Sequence, residues 1–162
     1  MTAESEELPE QSRVVRYVPY GRMRRDEDDN FIGPAPSAFA CRPAEEYLSV
    51  TWCEYFGGEA EQQLRCAIEA LRNSEMDVKP KACFCVAKVA EICAVIAGAG
   101  KAAKAVYHPT DDNLAHAGLY GVQAEDAEIM ALLADETWAE FLTKVDADSL
   151  PLSDCPMSQE VS

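Results

Sequence analysis

Residues 104–120 read KAVYHPTDDNLAHAGLY, and the way this stretch folds decides how the rest is arranged. Lys104–His108 and Leu114–Tyr120 are short apolar runs around a Pro, two Asp and an Asn, the composition of a turn between antiparallel strands. Both histidines of the chain, His108 and His116, flank that turn. Histidine is the one side chain whose ordinary pKa, about 6.5, lets it exchange protons near neutrality. Whether the two rings meet is a matter of parity. If 108 pairs with 115 and 107 with 116, the rings take opposite faces; if 108 pairs with 114 and 106 with 116, they share one. The sequence leaves both registers open.

Outward from the hairpin, Ala82–Val86 reads as a buried strand and Ala87–Ala97 as a helix that stops at Gly98-Ala99-Gly100. The segment 82–108 is therefore a β-α-β candidate. The clearest strand is Glu46–Cys53, which places Tyr47, Ser49, Thr51 and Cys53 on one face and Leu48, Val50 and Trp52 on the other. Gly57-Gly58 breaks it, and Glu59–Arg72 is an amphipathic helix with Leu64, Ile68 and Leu71 on one side. Val14–Val18 is a short strand. Asp26–Asn30 is an acidic turn, Phe31–Pro36 a proline-punctuated loop, and Ser37–Cys41 an extended segment. The last helix is expected over Glu125–Leu142, with acidic residues in its first turn. The sum is a single compact α+β domain over residues 13–143, about five short, mostly antiparallel strands with three helices. Residues 1–12 and 144–162 are polar and are expected as disordered tails.

At 162 residues the chain is one domain long. No apolar run approaches the roughly 20 residues that cross a bilayer. The acidic start lacks the basic-then-apolar plan of a signal peptide, so a cytoplasmic protein without membrane attachment is expected. Seven cysteines, an odd number, are expected to be reduced and mostly buried, with Cys155 in the tail. Cys83-Phe84-Cys85 has no second pair at zinc-ligand spacing. The net charge of −15 opposes the neutralisation of phosphates, which makes nucleic acid an unfavourable partner and a basic protein a favourable one.

Two chemistries use the histidine stretch. If the rings share a face, His108 and His116 can divide general acid and base roles, with Tyr107, Asp111 and Asp112 orienting them. A metal reading takes His108, Asp111, Asp112 and His116, or Asp28, Asp29 and Asn30, but neither matches a common module, and no metal or cofactor is expected. The arginines of 13–25, Arg22 among them, are an anion-binding edge or a self-neutralising surface beside Asp26–Asp29.

The pieces RDEDDN (25–30), AFACRPAEEYLSVTW (38–52) and HPTDDNLAHA (108–117) together resemble small bacterial proteins without an established activity. In those an Ala-Phe segment and a Leu-Ser-Val strand come early, and an Asn-x-x-His-Ala segment late. The resemblance implies a bacterial cytosolic origin and groups Arg42, Glu45, Ser49, His108, Asn113 and His116 as one candidate site. With no complete catalytic motif, the leading expectation is an acidic domain that binds a partner protein of basic surface. The alternative is a small metal-independent hydrolase or RNA-cleaving enzyme built on the histidine pair.

Overall fold

Val14 and Val15 are neighbours in sequence and both fully buried, which in a strand requires cover on both faces. Their strand, β1 (Arg13–Val18), lies inside a six-stranded sheet with β4 (Leu48–Trp52), β5 (Cys83–Lys88), β6 (Lys104–Tyr107), β7 (His116–Tyr120) and β8 (Glu140–Leu142). The order is β6-β7-β4-β1-β5-β8, and every neighbouring pair is antiparallel. This computed structural model describes residues 6–39, 47–74, 78–121, 127–138, 140–152, 154 and 155. The expected α+β domain is what forms, with α1 (Ala60–Arg72), α2 (Val89–Gly98), α3 (Ala127–Glu136) and α4 (Lys144–Asp148). β5 and β6 run in the same direction on either side of α2. They are separated by three other strands and do not form an adjacent β-α-β pair.

The register sorts the faces. Val15 lies opposite Thr51, and Thr51 opposite His116, so these three share the face on which α1 packs. The alternate residues Val14, Leu48, Val50, Leu119, Cys83 and Cys85 point to the other side. There α2 and α3 pack together, and Trp138 stacks on Phe39 at 5.3 Å between ring centres. Phe39 belongs to a 3-10 turn over Pro36–Phe39, where the sequence suggested an extended segment.

Several expectations are corrected. The acidic block and its proline loop form a separate hairpin, β2 (Met23–Arg25) with β3 (Phe31–Pro34). Its turn is tied by Asp26 Oδ1, which accepts from the amides of Asp28 and Asn30. The helix expected to run to Leu142 ends at Glu136, where the Thr137 and Trp138 amides and the Thr137 hydroxyl all donate to the Leu133 carbonyl. Glu140–Leu142 then pairs with β5.

Both expected tails are docked where they are described. The Leu8 amide donates to the Ala105 carbonyl, the Tyr107 amide to that of Glu6, and the Leu8 side chain is buried. Ser12 accepts from the Trp52 indole at 3.0 Å. One apolar residue and unused backbone groups on the β6 edge were enough to order a segment whose composition is polar.

At the other end, α4 opens with a capping box between Thr143 and Asp146. Arg65 Nη1 donates to the carbonyls of Ala147, Asp148 and Leu150. Cys155 is disulfide-bonded to Cys66 on α1, so the expectation of seven reduced cysteines fails for this pair. Cys53, Cys83 and Cys85 are buried thiols, and Cys93 is half-buried. Among the described residues no helix is long and apolar enough to cross a membrane.

Deleting residues 1–12 removes a buried leucine and the Ser12–Trp52 hydrogen bond, and it uncovers an edge strand. We expect urea unfolding to show a loss of about 2–4 kcal/mol. A change below about 0.5 kcal/mol would mean that the segment only rests on the surface.

Candidate functional site

The loop between β6 and β7 organises itself before it organises anything else. Thr110 and Asn113 exchange backbone hydrogen bonds, and the Thr110 hydroxyl donates to Asp112 Oδ1 at 2.8 Å. The Asn113 side chain is buried. Its Nδ2 donates to Thr51 Oγ1 at 3.0 Å and its Oδ1 accepts from the Ala115 amide at 3.1 Å, which fastens the loop to β4. The ladder then closes with 107 opposite 117 and with the His108 amide donating to the His116 carbonyl. This pairing is one step longer than the registers the sequence suggested, and it has the parity that puts both histidines on one face.

The rings lie 6.4 Å apart, centre to centre. They do different things. The His108 ring stacks on Tyr47 at 5.0 Å, and its Nε2 is 3.1 Å from the Tyr120 hydroxyl. Gly118 makes room for this cluster, since a Cβ there would come within 2.7 Å of the Tyr47 ring. His116 Nδ1 is 2.7 Å from the His108 carbonyl oxygen. A carbonyl can only accept, so Nδ1 carries the proton and Nε2 presents a lone pair. Among the described residues Nε2 makes no hydrogen bond. Burial pushes the His116 pKa below its ordinary value, and the His108 ring adds to this. The bond to the His108 carbonyl and the Asp112 carboxylate oppose it without reversing it.

His116 stands on the wall of a cleft of about 410 Å³. The cleft exists because the sheet opens. β1 and β4 are paired only at Val14–Trp52 and Val15–Thr51. Beyond that point β1 continues along β5 and β4 along β7. Val15 and Tyr17 line one side of the split, Ser49 and Thr51 the other. Leu71 and Ser74 from the end of α1 close one end of it, and Thr110, Asp112 and Asn113 close the other. Arg16 reaches across the seam, with Nη1 donating to the Ser49 carbonyl and Nε to that of Ala38, each at 2.8 Å.

Of the residues singled out from sequence, His116, Ser49 and Asn113 meet at this cleft, and His108 stands behind it. Arg22 does not join them, because its Nη1 donates to the Ser37 carbonyl beside the 3-10 turn. Arg42 and Glu45 lie outside the described residues. Tyr107 cannot orient the histidines. It occupies the opposite face against Trp52 and Tyr55, and its hydroxyl donates to the Leu114 carbonyl. Burial, with Tyr55 nearby, pushes that phenol up to about 12. Among the described residues no three His, Cys, Asp or Glu side chains are placed to share a metal ion. Sequence reading missed Arg16, Thr110 and Tyr17 as cleft residues. For Tyr17 the signal was present in its alternation with Val15.

No protein-family model, curated protein or solved structure matches the chain, so its own geometry must carry the functional reading.

A lowered pKa means that the folded state holds His116 neutral while the unfolded chain still binds a proton. This contribution to stability is fully present above about pH 6.5 and is lost as pH falls through the folded pKa. Urea midpoints taken at about pH 7.5 and 5.5 should fall more for the native chain than for His116→Gln. Equal declines would contradict the assignment.

Proposed function

We propose that this chain is a protein-interaction domain for a basic partner, and that the cleft between β1 and β4 receives a lysine or arginine side chain of that partner. The observation that carries this reading is the polarity of the cleft. His116 Nε2 offers a lone pair, the Asp112 carboxylate, which accepts from the Thr110 hydroxyl, adds negative charge at the rim, and Arg16, the cation among the described lining residues, donates to the Ser49 and Ala38 carbonyls. Acceptors facing an open volume suit a donor-rich cationic group. The aliphatic stem of such a side chain would lie against Val15 and Leu71. A net charge of −15 would draw a basic partner in from a distance, and the same field works against phosphate ligands.

The reading in which two histidines divide acid and base roles fits less well. It needs both rings at one substrate, and His108 is packed against Tyr47 with its Nε2 at Tyr120.

Hexalysine serves as the probe, titrated calorimetrically at physiological ionic strength. Binding should weaken at least about fivefold, roughly 1 kcal/mol, in Asp112→Asn and in Ser49→Val. It should also weaken as pH falls below His116's ordinary range, because a protonated ring would repel the cation. Both variants binding as tightly as the native chain would place any basic partner elsewhere on the acidic surface.

A further inference from the structure

We propose that the Cys66–Cys155 disulfide is a redox latch, opened by a dithiol reductant, and that opening loosens Pro151, Leu152, Asp154 and Cys155 while α4 stays in place.

The two sulfurs differ in access. Cys66 is buried on α1, whereas Cys155 is half-buried on a stretch in which Pro151, Leu152 and Asp154 are exposed. A reductant thiolate therefore reaches Cys155 first. Its attack on Cys155 Sγ forms a mixed disulfide and breaks the S–S bond, the electron pair leaving on Cys66 Sγ, which takes a proton. The reductant's second thiolate then attacks its own sulfur in the mixed disulfide. Cys155 leaves and is protonated, and the dithiol, having given two electrons, ends as its own disulfide.

Among the described cysteines, the other four leave the latch as the natural redox site, and Cys41 lies outside the described residues. Cys53, Cys83 and Cys85 are buried, and burial raises each thiol, Cys83 to about 11 and Cys85 to about 12. Half-buried Cys93 is raised for the same reason. Thiols held protonated are poor nucleophiles and do not compete for exchange.

The chain up to Leu150 has anchors of its own. Arg65 holds the carbonyls of Ala147, Asp148 and Leu150, and Arg72 pairs with Asp148 at 2.9 Å. Ala147 is fully buried. None of these contacts requires the disulfide, so its loss leaves α4 in place. Cys66 lies on the same helix as Leu71, which walls the cleft, so the latch and the cleft share one element.

The test uses the full chain, purified without reductant and then exposed to dithiothreitol under native conditions. Alkylation with mass spectrometry should find Cys66 and Cys155 both becoming reactive while Cys53, Cys83 and Cys85 stay protected. Hydrogen exchange should rise only in 151–155 and around Cys66, and Cys155→Ser should reproduce the reduced pattern without reductant. A bond that resists dithiothreitol until the protein unfolds would overturn the proposal and make the disulfide a fixed staple. Loss of amide protection in β1 and β4 on reduction, failure of Cys155→Ser to fold, or absence of the 66–155 bond from the unreduced chain would overturn it equally.

Discussion

A buried amide holds the cleft side of this molecule in register. Asn113 spends its side chain in two directions, donating to the Thr51 hydroxyl and accepting from the Ala115 amide. The first bond pins the hairpin loop to the sheet, and the second fixes the turn that re-enters β7. Because side chains alternate along a strand, a slip of one residue would send His116 to the opposite face. With Asn113 in place the ring stays beside Thr51, its Nδ1 meets the His108 carbonyl, and its other nitrogen remains available. An unsatisfied buried amide costs about 1–3 kcal/mol, which is enough to make this register strongly preferred.

The second constraint is the seam. An antiparallel sheet has no natural hollow at its centre, since each strand occupies its neighbour's hydrogen-bonding groups. Here the two middle strands pair only briefly and then follow their outer neighbours. Arg16 bridges part of the opening from the far face through the Ser49 carbonyl. The remainder is the cleft, walled by α1 on one side and by the histidine hairpin on the other. The rim of the sheet is treated differently, because the β6 edge is covered by Glu6–Leu8. Exposed edges invite other strands, and Glu6–Leu8 covers this one.

How much of this the sequence disclosed can be judged residue by residue. Glu59–Arg72 announced itself by a strong local periodicity, and Val14–Val18 by its β-branched residues ahead of Pro19. Tyr47, Ser49 and Thr51 were placed on one face by the same logic. The parity of the histidine hairpin could not be read, because it depends on Asn113 finding Thr51, a contact across 62 positions. The end of α3 was missed because Phe141 and Leu142 continue the helix's apolar spacing, while Glu140–Leu142 pairs with β5 across more than fifty positions. The tails misled for a related reason. Leu8 and Cys155 are single residues in mostly polar segments, and composition averages them away, yet Leu8 is buried and Cys155 is bonded to Cys66. Arg16 read as one basic residue among several, and only the splaying of β1 from β4 gives it a task.

The cleft's acceptor character requires a neutral His116 with its proton on Nδ1, facing the His108 carbonyl. Nitrogen-15 correlation spectra of the imidazole rings measure this directly in the intact chain. At a pH above the ordinary histidine range, about 6.5, the His116 Nδ1 resonance should be that of a protonated nitrogen and the Nε2 resonance that of a bare one, with no averaging between tautomers. A ring protonated on Nε2, or one that interconverts rapidly between the two forms, would contradict the hairpin geometry and with it the cleft's acceptor character.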